Sequence, residues 1–126
     1  MPTGEMAHDF TPDTNPIVGV VGLGYVGLPT AIGFHDSGFH VWGCDTSTSV
    51  IEALHEQRNP IGDAALDDQI PRTDIDTWNI TQSLEELTSN CDIILVTVPT
   101  PITPDSKPDL SYVFDAGNKI LSLIHI

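Results

Sequence analysis

Basic residues are scarce in this sequence of 126 residues: four Lys or Arg stand against eighteen Asp or Glu, which gives a formal net charge of −14 at pH 7. Phosphate backbones and anionic membrane surfaces are bound mainly through Lys and Arg, so nucleic acid and membranes are poor candidate partners. An excess of carboxylates is typical of a salt-adapted cytosol and equally of an ordinary acidic protein. The charge alone leaves both interpretations open.

Long apolar runs and cysteines are also few. No run approaches the ~20 residues that span a bilayer, and the polar first residues do not resemble a secretory signal, so we expect a cytoplasmic protein. The two cysteines, Cys44 and Cys91, end apolar segments and are predicted to be small buried side chains in a reducing compartment. Two thiols without clustered histidines make no zinc site, and no metal site is predicted.

What is present is an alternation of strand and helix patterns. Residues 1–16 mix Pro, Gly, Thr and Asp and are predicted to form a flexible tail. Short apolar runs predict strands at residues 17–21, 39–44, 78–81 and 91–98, the first and last buried on both faces. Strands that alternate with helices predict a parallel sheet with right-handed crossovers. The fold class is therefore α/β, a Rossmann-type doubly wound parallel sheet that is incomplete, with about four strands of the usual six.

Helices are predicted between and after these strands. The first is expected to end at Gly38, and Ser47 is expected to cap the second. Short helices are predicted at residues 64–69 and 83–87. Asp109 is expected to cap the last helix, whose inner face is predicted to carry Leu110, Val113, Gly117 and Ile120.

The main chemical signal is a glycine triplet between the first strand and the first helix. Gly22 permits a tight turn, Gly24 lets a pyrophosphate approach the backbone, and Gly27 lets the helix pack closely on the strand. A helix start carries unpaired N–H donors and partial positive charge, so it binds phosphates without Lys or Arg. The predicted pyrophosphate-binding residues are Gly22, Leu23, Gly24, Tyr25, Val26 and Gly27.

Two further positions are predicted to contact the cofactor. Asp45 ends the second strand, where a carboxylate accepts the ribose hydroxyls and repels a 2′-phosphate. Residues 46–48 include no Arg to receive that phosphate, which favours NAD over NADP. Pro99 and Thr100 follow the strand expected beside the first one, across the topological switch point where ligands bind in open α/β sheets.

Three segments resemble the UDP-glucose/GDP-mannose dehydrogenase family, the nucleotide-sugar 6-dehydrogenases. They are Val-Gly-Leu-Gly-Tyr-Val-Gly-Leu-Pro at residues 21–29, Gly-Cys-Asp at 43–45, and Asp-Ile-Ile-Leu-Val-Thr-Val-Pro-Thr-Pro at 92–101. The resemblance, over residues 17–120, implies oxidation of the C6 alcohol of a UDP- or GDP-sugar to a uronic acid. It also implies NAD as cofactor, used twice, a cysteine-bound intermediate and a homo-oligomeric parent enzyme.

The same resemblance implies that the catalytic cysteine and the substrate contacts lie in segments without a counterpart here, since neither Cys44 nor Cys91 matches. No catalytic residue is therefore predicted, and the chain alone is expected to be inactive. The sequence departs from the family at Val50, where a basic residue is common, and at Asp63 and Ala64, which replace Glu and Pro.

The ends of the chain and two other functions complete the sequence-based hypotheses. Residues 121–126 match one translated frame of a sequencing adapter, which predicts a non-native extension of a truncated gene lacking its substrate and C-terminal domains.

Two alternative functions stay open. One is the cofactor-binding half of a hydroxyacid-type dehydrogenase, which shares the glycine fingerprint. The alternative that is not an enzyme is a regulatory module that senses NAD without catalysis.

Overall fold

Four parallel strands form a single sheet in the computed structural model, which describes residues 15–123. The predictions for residues 1–14 and 124–126 lie outside this range. In chain order the elements are β1 (Val18–Val21), α1 (Gly27–Asp36), β2 (Val41–Cys44), α2 (Thr48–His55), β3 (Trp78–Thr81), α3 (Leu84–Asn90), β4 (Ile93–Val96) and α4 (Ser111–Leu123), with a 3-10 turn at Ala64–Leu66. The strand order is β3-β2-β1-β4. The predicted position of the last strand beside the first is confirmed.

Helices cover both faces of the sheet. On one face, α1 packs on β1 and β2, and α2 packs on β3, through a shared core that includes Leu28, Ile51 and Val20. On the other face, Leu87 of α3 and Ile120 of α4 pack against Val21 and Cys44. This is the doubly wound α/β arrangement that the sequence predicts, and it leaves the carboxyl ends of all four strands at one edge.

Close packing of α3 on β1 depends on Gly19. A Cβ atom built at Gly19 would lie 2.8 Å from Cys91 Sγ and 2.8 Å from a Leu87 methyl group. Any larger side chain would push the helix away from the strand, because packed interiors have little room to relax. Neither cysteine is in a disulfide; Cys44 is buried and Cys91 half-buried, in line with the sequence-based prediction.

Short polar side chains begin three of the helices. Ser47 Oγ accepts a hydrogen bond from Val50 N at 3.3 Å, and Ser83 Oγ accepts one from Glu86 N at 3.1 Å. Asp109 Oδ1 accepts from Ser111 N at 3.0 Å. These contacts satisfy amides that a helix start otherwise leaves unpaired, and they confirm the predicted cap at Ser47. The predicted cap at Asp109 is one residue too early: α4 begins at Ser111, so Leu110 holds the N-cap position, and Asp109 pairs with the first helical amide from outside it.

The predicted last strand is wrong in length and in burial. It covers Ile93–Val96 rather than residues 91–98, and it lies at the edge of the sheet. Ile93 is 45% exposed and Val96 is also exposed, although the apolar run predicted burial on both faces. An apolar sequence shows that the side chains favour burial. How far they are buried depends on whether the strand has neighbours on both sides or lies at an edge of the sheet.

The predicted inner face of α4 is also partly wrong. Ile120 is buried as expected, and it is joined by Ala116, whereas Leu110 and Val113 are exposed. This helix carries apolar side chains on more than one side, so their spacing alone does not identify the buried face. Smaller differences are confined to element ends: the second strand begins at Val41 rather than at residue 39, and the turn near Ala64 is shorter than residues 64–69.

Candidate functional site

The turn after β1 is built around two glycines. Gly22 has a φ of +98°, a conformation that side chains rarely tolerate, and its N–H donates to Cys44 O at 2.8 Å. A Cβ atom at Gly27 would overlap the carbonyl oxygen of Gly22 and the hydroxyl of Thr97. The chain can therefore turn from β1 directly into α1 only when both positions lack a side chain.

The start of α1 is open to a ligand. Its N-terminal flanking residue, Val26, provides no side-chain cap, and Gly24, Tyr25 and Val26 are exposed. Within residues 15–123, the N–H groups of these three residues donate to no protein acceptor. A Cβ atom at Gly24 would meet nothing within 4 Å, so the space above this backbone is free. Unpaired amides at a helix start attract an anion such as a diphosphate.

The Asp45 carboxylate is held beside this turn by two backbone amides. Leu23 N donates to Asp45 Oδ2 at 2.8 Å, and Ser47 N donates to Asp45 Oδ1 at 2.9 Å. Each carboxylate oxygen can accept more than one hydrogen bond, so the group retains acceptor capacity for a ligand hydroxyl. The half-buried carboxylate is thus oriented by the same turn that offers amides to an anion.

A cavity of about 430 Å³ opens at the carboxyl ends of the strands. Its volume lies within the range of small-molecule and cofactor sites, roughly 300 to 1,000 Å³. The lining residues are Val21, Gly22, Cys44, Asp45, Thr46, Gln82, Leu84, Val98, Pro99, Tyr112, Asp115, Ala116 and Lys119. The bare turn, the uncapped helix start and the carboxylate fit a dinucleotide, with apolar walls for a base and acceptors for a ribose.

The predicted site residues occupy different positions around this cavity. Gly22, Asp45 and Pro99 line it directly. Leu23 is fully buried, and its amide is used by Asp45, so it orients the carboxylate. Thr100 is exposed and does not line the cavity. Direct contacts of all these residues with a cofactor, and those of residues 24–27, stay predictions.

Thr97 is a structural member of the site that sequence reasoning missed. Its hydroxyl lies 2.7 Å from Gly22 O, to which it donates, so it fastens the glycine turn to the end of β4. A polar residue inside an otherwise apolar strand run was the available signal. Such a residue is buried only when its hydroxyl finds a partner.

Other missed residues come from β3 and α4. Gln82, Tyr112 and Lys119 line the cavity, and Lys119 Nζ pairs with Asp115 Oδ2 at 3.0 Å. These residues carry no local motif, because they reach the site only when α3 and α4 fold onto the same face of the sheet. Sequence spacing within α4 could not reveal which of its sides faces Asp45.

Cys44 also lines the cavity, but its thiol is not activated. Burial, and next the neighbouring Asp45 charge, raise the pKa of the Cys44 thiol from 9.0 to about 11. A thiol with a raised pKa remains protonated near neutral pH and is a poor nucleophile. The site therefore offers no thiolate nucleophile from Cys44 near neutral pH.

Neither a metal centre nor a membrane-spanning helix is found in the described residues. Among residues 15–123, no group of three or more His, Cys, Asp or Glu side chains is placed to hold a metal ion. None of the helices in that range has the length and apolar character needed to cross a bilayer.

Solved structures and curated proteins resemble this chain. It is 34% identical over 96 residues to UDP-N-acetyl-D-mannosamine dehydrogenase of Pyrococcus horikoshii, covering 75% of this chain and 22% of that protein. It is 33% identical to a UDP-glucose dehydrogenase structure from Pyrobaculum islandicum, with a TM-score of 0.77 over 83% of this chain and 24% of that one. A GDP-mannose dehydrogenase structure from Pseudomonas aeruginosa gives a TM-score of 0.79 at 25% identity, over 85% of this chain and 25% of that one.

The chain thus spans about a quarter of the length of these relatives. The sequence model of the UDP-glucose/GDP-mannose dehydrogenase family, NAD binding domain, matches residues 17–125. The fold, the bare glycine turn and the match over nearly the whole chain agree, and we conclude that the chain belongs to the NAD binding domain of the UDP-glucose/GDP-mannose dehydrogenase family.

Proposed function

We propose that this chain is the NAD-binding portion of a nucleotide-sugar 6-dehydrogenase, with residues 17–120 as the binding domain. The supporting observation is the hydrogen bond of 2.8 Å between Leu23 N and Asp45 Oδ2. That bond joins the bare glycine turn to the carboxylate at the end of β2. An anion-binding backbone and a hydroxyl-binding carboxylate are thus held in one rigid unit, as a dinucleotide requires.

In this proposal each predicted residue has a separate task. Within the turn from Gly22 to Gly27, the amides without a protein acceptor, those of Gly24, Tyr25 and Val26, bind the pyrophosphate. Gly22 and Gly27 let it approach the backbone, and Asp45 accepts hydrogen bonds from the adenosine ribose. Pro99 and Thr100 contact the cofactor from the end of β4. Bound NAD supplies the electron acceptor for oxidation of an alcohol.

The remainder of the reaction belongs to chain segments beyond these residues. The relatives named above act on UDP- and GDP-sugars, and we propose the same substrate class for the parent protein. The parent protein would oxidise the C6 alcohol of the sugar to a uronic acid with two molecules of NAD, and it would be a cytoplasmic homo-oligomer. Since Cys44 and Cys91 are protonated and partly or fully buried, this chain alone supplies no thiolate for that reaction.

Titration calorimetry of the 126-residue chain with NAD tests the cofactor site. Gly24→Val should weaken NAD binding by more than about tenfold, because the added side chain occupies the space above the turn. Gly33→Val is the matched control: a Cβ at Gly33, like one at Gly24, meets nothing within 4 Å, but Gly33 lies within α1 away from the turn.

The outcomes separate binding from catalysis. Equal NAD affinity of the wild type and Gly24→Val would contradict the proposed pyrophosphate site, as would a wild-type chain that binds no NAD. UDP-glucose added to the NAD-loaded chain is expected to produce no NADH. Production of NADH would show that the chain holds a nucleophile or base that the proposal lacks.

A further inference from the structure

The loop that follows Asp45 is braced from both neighbouring strands. On the β1 side, Leu23 N holds Asp45 itself. On the β3 side, Gln82 directly follows the strand, and its Nε2 donates to Thr46 O at 3.2 Å and to Thr48 Oγ1 at 3.1 Å. Because β2 lies between β3 and β1 in the sheet, these hydrogen bonds hold the β2–α2 loop from opposite sides.

The contacts of Gln82 determine which of its atoms is left to hydrogen-bond a ligand. A backbone carbonyl only accepts hydrogen bonds, so Thr46 O requires the amide nitrogen of Gln82 on its side. Thr48 Oγ1 accepts the second amide hydrogen, and both donors of the side chain are then used. Only the carbonyl oxygen Oε1 remains, and it can only accept. Gln82 lines the same cavity as Asp45.

The cavity therefore presents acceptors rather than donors next to the loop. A carboxylate from Asp45 and an amide oxygen from Gln82 suit hydroxyl groups, which donate, and oppose a phosphate, which is anionic and only accepts. One cation, Lys119, lines the cavity, but its Nζ pairs with Asp115 at 3.0 Å. The brace also keeps the hydroxyl of Thr48 and the backbone of Thr46 turned towards Gln82.

We propose that Gln82 is a specificity-determining residue, acting with Asp45 to select a cofactor with an unphosphorylated 2′-hydroxyl, NAD, over one with a 2′-phosphate, NADP. This inference rests on the proposed cofactor site and adds a residue from a different strand to it. Gln82 acts in two ways: it offers an acceptor to the cavity, and it holds the β2–α2 loop beside Asp45 through Thr46 O and Thr48 Oγ1.

The test compares Gln82→Met with Gln69→Met in the 126-residue chain. Met matches the length of Gln without donors or acceptors, and Gln69 is a matched control because its Nε2 donates to Ala65 O at 3.1 Å, remote from the cavity. Calorimetry gives the dissociation constants for NAD and NADP. We expect Gln82→Met to narrow the preference for NAD by about five- to tenfold, the factor contributed by one or two neutral hydrogen bonds, and Gln69→Met to leave it unchanged.

A second readout needs no cofactor. Amide hydrogen exchange at residues 46–48 should be faster in Gln82→Met than in the wild type, because the brace from β3 is gone, and unaltered in Gln69→Met. An unchanged NAD preference or unchanged exchange in Gln82→Met overturns the role of Gln82. If the wild-type chain binds NAD and Gly24→Val does not, such a result leaves the cofactor site standing. A wild-type chain without NAD affinity would overturn both proposals.

Discussion

Single side chains determine how closely the glycine turn approaches the sheet. Thr97 donates to Gly22 O at 2.7 Å, and the space that a side chain on Gly27 would need is already filled by this hydroxyl and the Gly22 carbonyl. The role of Gly27 in close packing follows from the motif itself, and the structure agrees with it. The role of Thr97 does not follow from the motif, because its partner lies 75 residues away in the chain.

The two thiols should make the protein less stable at alkaline pH. Burial raises the pKa of Cys44 to about 11 and that of Cys91 to about 12, with the nearby charges of Asp45 and Asp92 as the smaller cause. Above pH 9.0, the ordinary thiol value, the unfolded chain loses these protons while the folded chain keeps them. The free energy of unfolding should therefore fall, by about 1 kcal/mol per thiol between about pH 8 and about pH 10.

Urea denaturation at a series of pH values measures this loss. The double variant Cys44→Ala/Cys91→Ala serves as the control, since other groups such as Tyr and Lys also titrate in alkali. We expect the wild type to lose more stability than the variant over this interval. Identical slopes in the two proteins would mean that the thiols are as accessible folded as unfolded.

At the scale of elements, local signals predicted position better than burial. The third strand was predicted at its observed bounds, Trp78–Thr81, and the cap at Ser47 was predicted from its short polar side chain. Both signals are local, since a strand run and a cap depend on adjacent residues. The exposed edge of β4 and the buried side of α4 were predicted wrongly, because each depends on which elements pack alongside.

A pair of substitutions tests the difference between inner and edge strands. Val18 in β1 and Ile93 in β4 are partners in the parallel register, yet Val18 is 1% exposed and Ile93 45%. Val18→Thr buries a hydroxyl in an apolar core and should lower the free energy of unfolding by about 1 to 3 kcal/mol. Ile93→Thr keeps its hydroxyl in contact with water and should cost less than about 1 kcal/mol.

Urea denaturation of both variants at neutral pH provides the comparison. Thr retains the branched Cβ that favours strands, so the difference between the variants reports burial rather than strand propensity. Equal losses of stability at the two positions would show that β4 is covered in solution, and would contradict its assignment as an exposed edge.

At the scale of the whole molecule, the net negative charge disfavours the folded state. The described range contains three Lys or Arg ion pairs with carboxylates, all exposed and all between residues two or four apart in the chain. Exposed pairs of this kind contribute little, about 0 to 1 kcal/mol each. They do not offset the mutual repulsion that follows from a net charge of −14.

Salt should therefore stabilise the chain. Raising the ionic strength from about 0.1 M to about 1 M shortens the screening length from about 10 Å to about 3 Å, and the midpoint of urea denaturation should rise. The variant Glu52→Gln/Asp68→Asn removes two exposed carboxylates and should be more stable than the wild type at low salt, with a smaller response to salt. A midpoint that falls with salt, or a variant as salt-dependent as the wild type, would contradict repulsion as the cause.

Local sequence was sufficient for the class of fold, the strand beside the first, the glycine turn and the nature of the ligand. These features depend on chain geometry over a few residues: a glycine at positive φ, an uncapped helix start, an acid after a strand. Folding in three dimensions decided which distant residues complete the site. Gln82 and Lys119 reach the cavity, and Thr97 reaches the glycine turn, because parallel strands end at one edge of the sheet and each helix packs on one particular face. Which face a helix packs on depends on how much surface it buries together with the other elements, and no single segment of the sequence determines that.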